Sequence, residues 1–281
     1  MNNMGRQKLI NLHTSGTTEP TSQLLEHGEI AVQYNAEAPI IYIKDTANEI
    51  RKFIDYDTYL QILDNTIIDC GSYYGPEYID LGLPSGTLWA KCNLGASSPD
   101  EPGLYFQWGD ISGYTYSQVG NSKVFNWANY KYCNGDYNKL TKYCPSSKTD
   151  YWDGSGEPDN KLILDQEDDA VVAMKGNEWV MPTSAQFAEL VNNTTHYWDA
   201  DRGGMVFAAN GEELFLFGAG YAYNSSVGYC GSGGGYWSRS LCEGNPRNAW
   251  SLDFYGDGTC NVDYGSRYSG GSVRPVKSQN N

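Results

Sequence analysis

Histidine, basic residues and metal-ligand spacings are all scarce in this 281-residue chain. There are three histidines (His13, His27, His196) and no Cys-x-x-Cys pair, so a zinc site is not expected. Lys and Arg together number 19 against 34 Asp and Glu, a formal net charge of −15. That balance argues against a basic face for nucleic acid. No apolar run reaches the roughly 18 residues needed to cross a bilayer. The first twenty residues lack the apolar core of a secretion signal, so synthesis in a cytoplasm without membrane insertion is expected. Seven cysteines (70, 92, 133, 144, 230, 242, 260) are odd in number and scattered, and read as free thiols. There is no Gly-x-Ser-x-Gly elbow. The run Gly231-Ser232-Gly233-Gly234-Gly235 has neither a phosphate-loop lysine nor a following helix, and reads as a flexible turn. No cofactor and no metal follow from these residues.

What is abundant is glycine (32), tyrosine (23) and tryptophan (8), in a chain that is 40% hydrophobic and 19% charged. This is a globular composition with many turns and aromatic anchors. Three stretches follow, 1–55, 56–76 and 77–281. In the first, Ile30, Val32 and Tyr34 alternate as in a half-buried strand, and Ile40 to Lys44 supply a second strand of a hairpin. Residues 55 to 68 carry apolar side chains near helical spacing, and Cys70 to Pro76 read as a linker. The third stretch opens with a hairpin turning at Leu83 to Gly86, its Leu88 and Ala90 on one side. Residues 110 to 160 lack periodicity and read as surface loops. Asp165 to Asp169 read as a solvated, acidic helix start rather than a calcium site. Thr183 or Ser184 caps a helix with Phe187, Leu190 and Val191 inward, and the chain beyond Asn192 reads as all-β.

Residues 221 to 276 stand apart. Of these 56 residues, 31 are Gly, Ser, Tyr or Asn, the composition of an adaptable binding surface. A glycine-rich cover over a core is the plainer alternative. In Ala249 to Tyr255, Trp250, Leu252 and Phe254 share one face, expected to be buried; Ser251, Asp253 and Tyr255 share the other, expected to see solvent. The window also holds no Lys, Gln or Met, although residues 1 to 220 contain 24 of them. Adenine-directed mutagenesis of Asn codons produces that pattern, because it never yields those three residues. Glu243 is unreachable by that route and must be a fixed position if the pattern is real.

The segments Tyr236-Trp237-Ser238, Asn248-Ala249-Trp250, Leu252, Phe254 and Arg267 through Gly270-Gly271-Ser272-Val273-Arg274-Pro275-Val276 resemble the variable proteins of diversity-generating retroelements. Asp80 to Ala90 and Trp179 to Thr183 resemble domains of gut Bacteroidetes and their phages. Gly28 to Val32 with Ile41 to Asp45 resembles the attachment module of phage tail fibres. The resemblance implies an α+β chain: a C-type-lectin-like domain of the formylglycine-generating-enzyme-like subgroup, with mixed sheets, two helices and long loops, behind a small β-hairpin module. It implies a framework of Tyr236, Trp237, Trp250, Leu252, Phe254, Arg267, Arg274 and Pro275. The diversified positions would be Ser251, Asp253, Tyr255, Asp257, Cys260, Asp263, Tyr264, Ser266, Tyr268 and Ser269. Arg239, Leu241, Cys242 and Arg247 are further candidates, then Tyr221, Tyr223, Asn224, Tyr229 and Cys230. Binding is expected to centre on Tyr255, Tyr264 and Tyr268, with Asp253, Asp263 and Arg247 at the rim. The implied partners are a host-surface protein or glycan and, through the hairpin module, phage tail components; the implied location is the virion, and a homotrimer is compatible with it. The rivals are a virion-associated enzyme, either a glycoside hydrolase using Asp253 and Asp263 or a formylglycine-type oxidase, and a bacterial surface adhesin.

Overall fold

The structure is a computed structural model that describes the backbone of residues 11–14, 30–33, 40–44 and 50–55 and the stretch 78–278. The chain divides into two compact units, Met1–Ile68 and Asp69–Asn281. In the first, β1 (Asn11–Thr14), β2 (Ile30–Gln33), β3 (Ile40–Lys44) and β4 (Ile50–Asp55) form one sheet in that order. The hairpin read from sequence is β2 against β3, with Ile30 opposite Ile43. It is not alone: β1 pairs parallel to β2, and β4 pairs antiparallel to β3. The helix expected over 55–68 lies outside the described residues except for Asp55, which ends β4; the linker lies outside them too.

The second unit is α+β, built from small antiparallel sheets with two α-helices among the described residues. β5 (Tyr78–Asp80) and β6 (Thr87–Ala90) form its opening hairpin, closed by Gly86 N–H donating to Leu83 O at 2.8 Å, with Gly86 at φ +68°. β15 (Val276–Ser278) pairs on the other edge of β6. All four residues of β6 are buried, so Leu88 and Ala90 do not mark a single inward side. A central strand is covered on both faces, and alternation is lost there.

The acidic run departs most from expectation. Residues 166–168 make a 3₁₀ turn, and Asp169 caps α1 (Ala170–Lys175) by accepting from Val171 N and Val172 N. Asp169 also accepts from Met181 N at 3.0 Å, and both Asp168 and Asp169 are buried rather than solvated. Asp168 accepts from Tyr132, from Tyr143 Oη at 2.5 Å and from Lys142 Nζ at 2.5 Å. Lys142 also reaches Asp165 at 2.7 Å and Glu167 at 3.1 Å, so an ammonium sits where a cation would be sought in this cluster. The partners of Asp168 come from residues 130–143, inside the segment read as surface loop. That segment is irregular, yet it buries Val119, Phe125, Tyr130, Tyr132, Leu140 and Tyr143. Aromatic side chains without periodicity supply core here.

α2 (Ser184–Asn193) starts as expected. Thr183 N–H donates to Gln186 Oε1 at 2.8 Å while Gln186 N–H donates to Thr183 Oγ1 at 3.2 Å, a reciprocal cap. Phe187 and Leu190 are buried, and Val191 is half-buried. Three sheets follow: β7 (Thr195–Asp199), β8 (Gly204–Ala209) and β9 (Glu212–Phe217); β10 (Tyr221–Tyr223) and β11 (Ser226–Gly228); β12 (Gly233–Leu241), β13 (Asn248–Tyr255) and β14 (Cys260–Ser266). Gly233 to Gly235 are therefore strand, not turn.

The last of these sheets separates two cores. Tyr236, Leu252 and Phe254 join Trp89, Phe187 and Phe207 on one side; Trp237 and Ala249 join Trp108, Tyr143 and Trp179 on the other. Arg267 and Arg274 are both fully buried. Arg267 donates to Tyr130 Oη (2.8 Å) and to the main-chain oxygens of Tyr143 (3.1 Å), Pro246 (3.0 Å) and Lys142 (2.9 Å). Arg274 donates to Asn93 Oδ1 (2.8 Å) and to Ala90 O (2.9 Å) and Lys91 O (2.7 Å). Cys133, Cys144, Cys230, Cys242 and Cys260 are free thiols, whereas Cys92 is disulfide-bonded, against the reading of free thiols throughout. No helix among the described residues is long and apolar enough to cross a membrane.

Candidate functional site

Strand pairing decides which side chains can meet. On β13 and β14, Ser251 lies opposite Asp263 and Asp253 opposite Asn261, while Trp250 lies opposite Tyr264 and Phe254 opposite Cys260. Paired residues share a face. Ser251, Asp253, Asp263 and Tyr255 are thus on one side of the sheet, and Tyr264 and Cys260 are on the other. On β12, Gly235 is opposite Asp253 and Trp237 opposite Ser251.

That first side hollows into a cavity of about 270 Å³. Eight of the residues singled out from sequence line it: Tyr221, Tyr223, Ser251, Asp253, Tyr255, Ser266, Tyr268 and Ser269. Trp237 and the glycines 235, 265, 270 and 271 complete the wall. Sequence reasoning missed those four glycines; of the run Gly233 to Gly235, read there as a turn, only Gly235 faces Asp253 and lines the hollow. Contrary to the expectation that Ser251, Asp253 and Tyr255 all see solvent, the face is not uniformly open, and Trp250, expected to be buried with Leu252 and Phe254, is half-buried. The exposure of the face climbs along β13, from Ala249 at 0% and Ser251 at 4% through half-buried Asp253 to Tyr255 at 39%. The inner end, at Ala249, packs into the core that also holds Trp237, beside the register shift of β12 between Trp237 and Leu241.

The rim is tyrosine. Tyr221 stacks on Tyr229 with centroids 5.7 Å apart, and Tyr229 meets Tyr255 edge-on at 6.0 Å. Tyr268 bridges Tyr223 (5.8 Å) and Trp127 (5.1 Å). Tyr229 holds φ +60°, a left-handed conformation that a bulky residue rarely adopts. Asn224 takes φ +50° at the β10–β11 turn, where Asn is at ease.

Asp253 is at the floor rather than the rim. Its carboxyl is pushed up to about 6 by burial; the neighbouring Ser251 hydroxyl opposes that rise and the charge of Asp263 adds to it. Ser251 Oγ is buried and has no hydrogen-bond partner among the described residues. Asp253 is the one charged lining residue, and no basic side chain among the described residues pairs with it.

Other expected positions fall away from the cavity. Leu241, Cys242 and Cys260 are buried and do not line the cavity; Leu241 joins one core and Cys260 the other. Burial also pushes the Cys260 thiol up to about 12, far from a reactive thiolate. Tyr264, expected at the centre, packs edge-on to half-buried Trp250 on the opposite face. Arg239 turns inward, donating to Leu164 O at 2.8 Å with its guanidinium 3.9 Å from Asp169. Arg247 lies over Tyr137 at 5.4 Å. Asp257 sits in the β13–β14 turn and accepts from Thr259 N at 2.9 Å. Cys230 and Asn224 are exposed but do not line the cavity. No protein-family model matches the chain, and no curated protein or solved structure matches it either.

Proposed function

We propose that the chain is a phage receptor-binding protein whose second unit is a C-type-lectin-like domain displaying a retroelement-diversified surface to the host cell. The carrying observation is that eight residues marked as diversified converge on one tyrosine-rimmed cavity, lined also by Trp237. Residues marked as framework lie almost wholly beneath it, with Tyr236, Leu252, Phe254, Arg267 and Arg274 each fully buried. Tyrosines give large contact areas at low conformational cost, and serines and glycines give adaptable hydrogen bonding. The first unit would attach the protein to the tail.

Deep sequencing of the gene's 3′ end across one phage population tests this. Substitutions should gather at Ser251, Asp253, Tyr255, Ser266, Tyr268 and Ser269 and spare Leu252, Phe254, Arg267 and Arg274. A uniform 3′ end would remove the diversified reading. In parallel, Tyr221→Ala with Tyr255→Ala should weaken adhesion of the full chain to host cells by about tenfold or more while the protein stays folded. Unchanged adhesion would show that another surface binds.

One observation favours a second reading. Asp253, with its raised carboxyl, shares a face with Asp263, and a glycoside hydrolase needs one protonated and one ionised carboxyl. Hydrolysis of host-surface glycans that vanishes in both Asp253→Asn and Asp263→Asn would establish it.

A further inference from the structure

We propose that the cavity beside Gly235 is a subsite for a primary ammonium group, accepted by Asp253 and Ser251 and walled by Tyr221 and Tyr255. The inference rests on reading this face as the binding site and adds the chemistry of what enters it. Asp253 brings a charge to the floor, and no lining residue carries an opposing one. Ser251, at 4% exposure, holds a hydroxyl close enough to the Asp253 carboxyl to temper its rise, but no hydrogen bond of good geometry joins it to Asp253 or to any other described residue. A buried polar atom without a partner costs free energy until something bonds it. An ammonium group offers three donors and no acceptor, so it satisfies the carboxylate and the hydroxyl together. A ligand anion would meet Asp253 and Asp263, and a neutral hydroxyl would leave the charge uncompensated. Tyrosine rings favour a cation near their faces. Space exists because Gly235 has no side chain: a Cβ there would lie 3.6 Å from Asp253 Oδ1 and 3.7 Å from Tyr221 Cβ.

The titratable groups facing Asp253 offer no compensation either. Asp263 on β14 is acidic, Tyr221 on β10 and Tyr255 on β13 are tyrosines pushed upward chiefly by burial, and β12 presents Gly235. Ammonium binding requires the carboxylate form. It should therefore be full at neutral pH and fall as the pH drops through about 6.

The test is titration of the full chain with two ammonium carriers, Nα-acetyl-lysine methylamide and glucosamine. Their neutral counterparts are Nα-acetyl-norleucine methylamide and glucose, and tyrosine resonances are read by NMR. At least one carrier should bind about tenfold more tightly than its counterpart, and which one does so separates a peptide source from an amino-sugar source. The preference should vanish in Asp253→Asn and below about pH 5. Gly235→Ala, which sets a methyl group against Asp253 Oδ1 without changing any charge, should weaken the carrier with unchanged thermal unfolding. Equal binding of the neutral counterparts, no binding of either carrier, or a preference kept in Asp253→Asn would overturn the subsite. If adhesion is lost in the tyrosine variants but no ammonium preference is found, the subsite falls and the host-binding reading stands. If an ammonium preference is found and adhesion ignores those tyrosines, the subsite stands and the host-binding reading falls.

Discussion

Asp168 and Asp253 form a natural comparison, because their surroundings move them in opposite directions. Burial alone would raise Asp168, yet hydrogen bonds from Lys142, Tyr132, Tyr143 and Lys131 pull it down to about 2. Asp253 has burial with only the Ser251 hydroxyl to oppose it, and rises to about 6. A lowered carboxyl contributes stability that is present above the ordinary carboxyl range and is lost as pH falls toward its folded value. A raised one imposes a cost that is absent in acid and grows as pH climbs from about 4 to about 6. Asp168→Asn should therefore destabilise the protein near neutral pH by on the order of 2 kcal/mol. Asp253→Asn should stabilise it there by on the order of 1–3 kcal/mol and flatten the slope across that acidic window. Denaturant melts at a series of pH values check both signs, and equal signs would contradict the assignment. Arg267→Lys belongs at this scale too. A lysine has three donors and no planar fork, so it cannot serve four separated oxygens. A loss of roughly 3–5 kcal/mol is expected by the same melts.

Among the strands, neighbouring glycines of β12 make opposite forecasts. A Cβ at Gly234 would stand 2.4 Å from the Phe254 ring, a contact that must push the ring out of its core. At Gly235 the nearest atom is 3.6 Å away and φ is not left-handed, so a methyl group fits. Gly234→Ala should cost roughly 1–3 kcal/mol, and Gly235→Ala should be neutral or slightly stabilising. Thermal melts of the two single variants decide it. The same strand shows what could be read from sequence and what could not. The capped helix after Thr183, the hairpin at Leu83 to Gly86 and the alternation of Leu252 and Phe254 depend on neighbours a few residues apart, and these were legible. The site's depth was not, because it depends on pairing between strands. Asp263 and Tyr264, adjacent in a strand, must face opposite sides, but only the pairing register shows that Asp263 is the one on the side of Ser251 and Asp253. Likewise Asp168 reads as a solvated acid until Tyr132 and Tyr143, from an irregular segment, close over it.

Taken whole, the second unit holds three clusters of buried hydrophobic residues of its own. Residues 69–281 expressed alone should accordingly unfold in one cooperative step; calorimetry that finds no transition would show dependence on the first unit. Consider finally where the two buried arginines send their protons. Five of the oxygens they hold are main-chain carbonyls, those of Tyr143, Pro246, Lys142, Ala90 and Lys91. A carbonyl is present whatever side chain its residue bears. These tethers are therefore blind to which side chain stands at each of the five positions they secure.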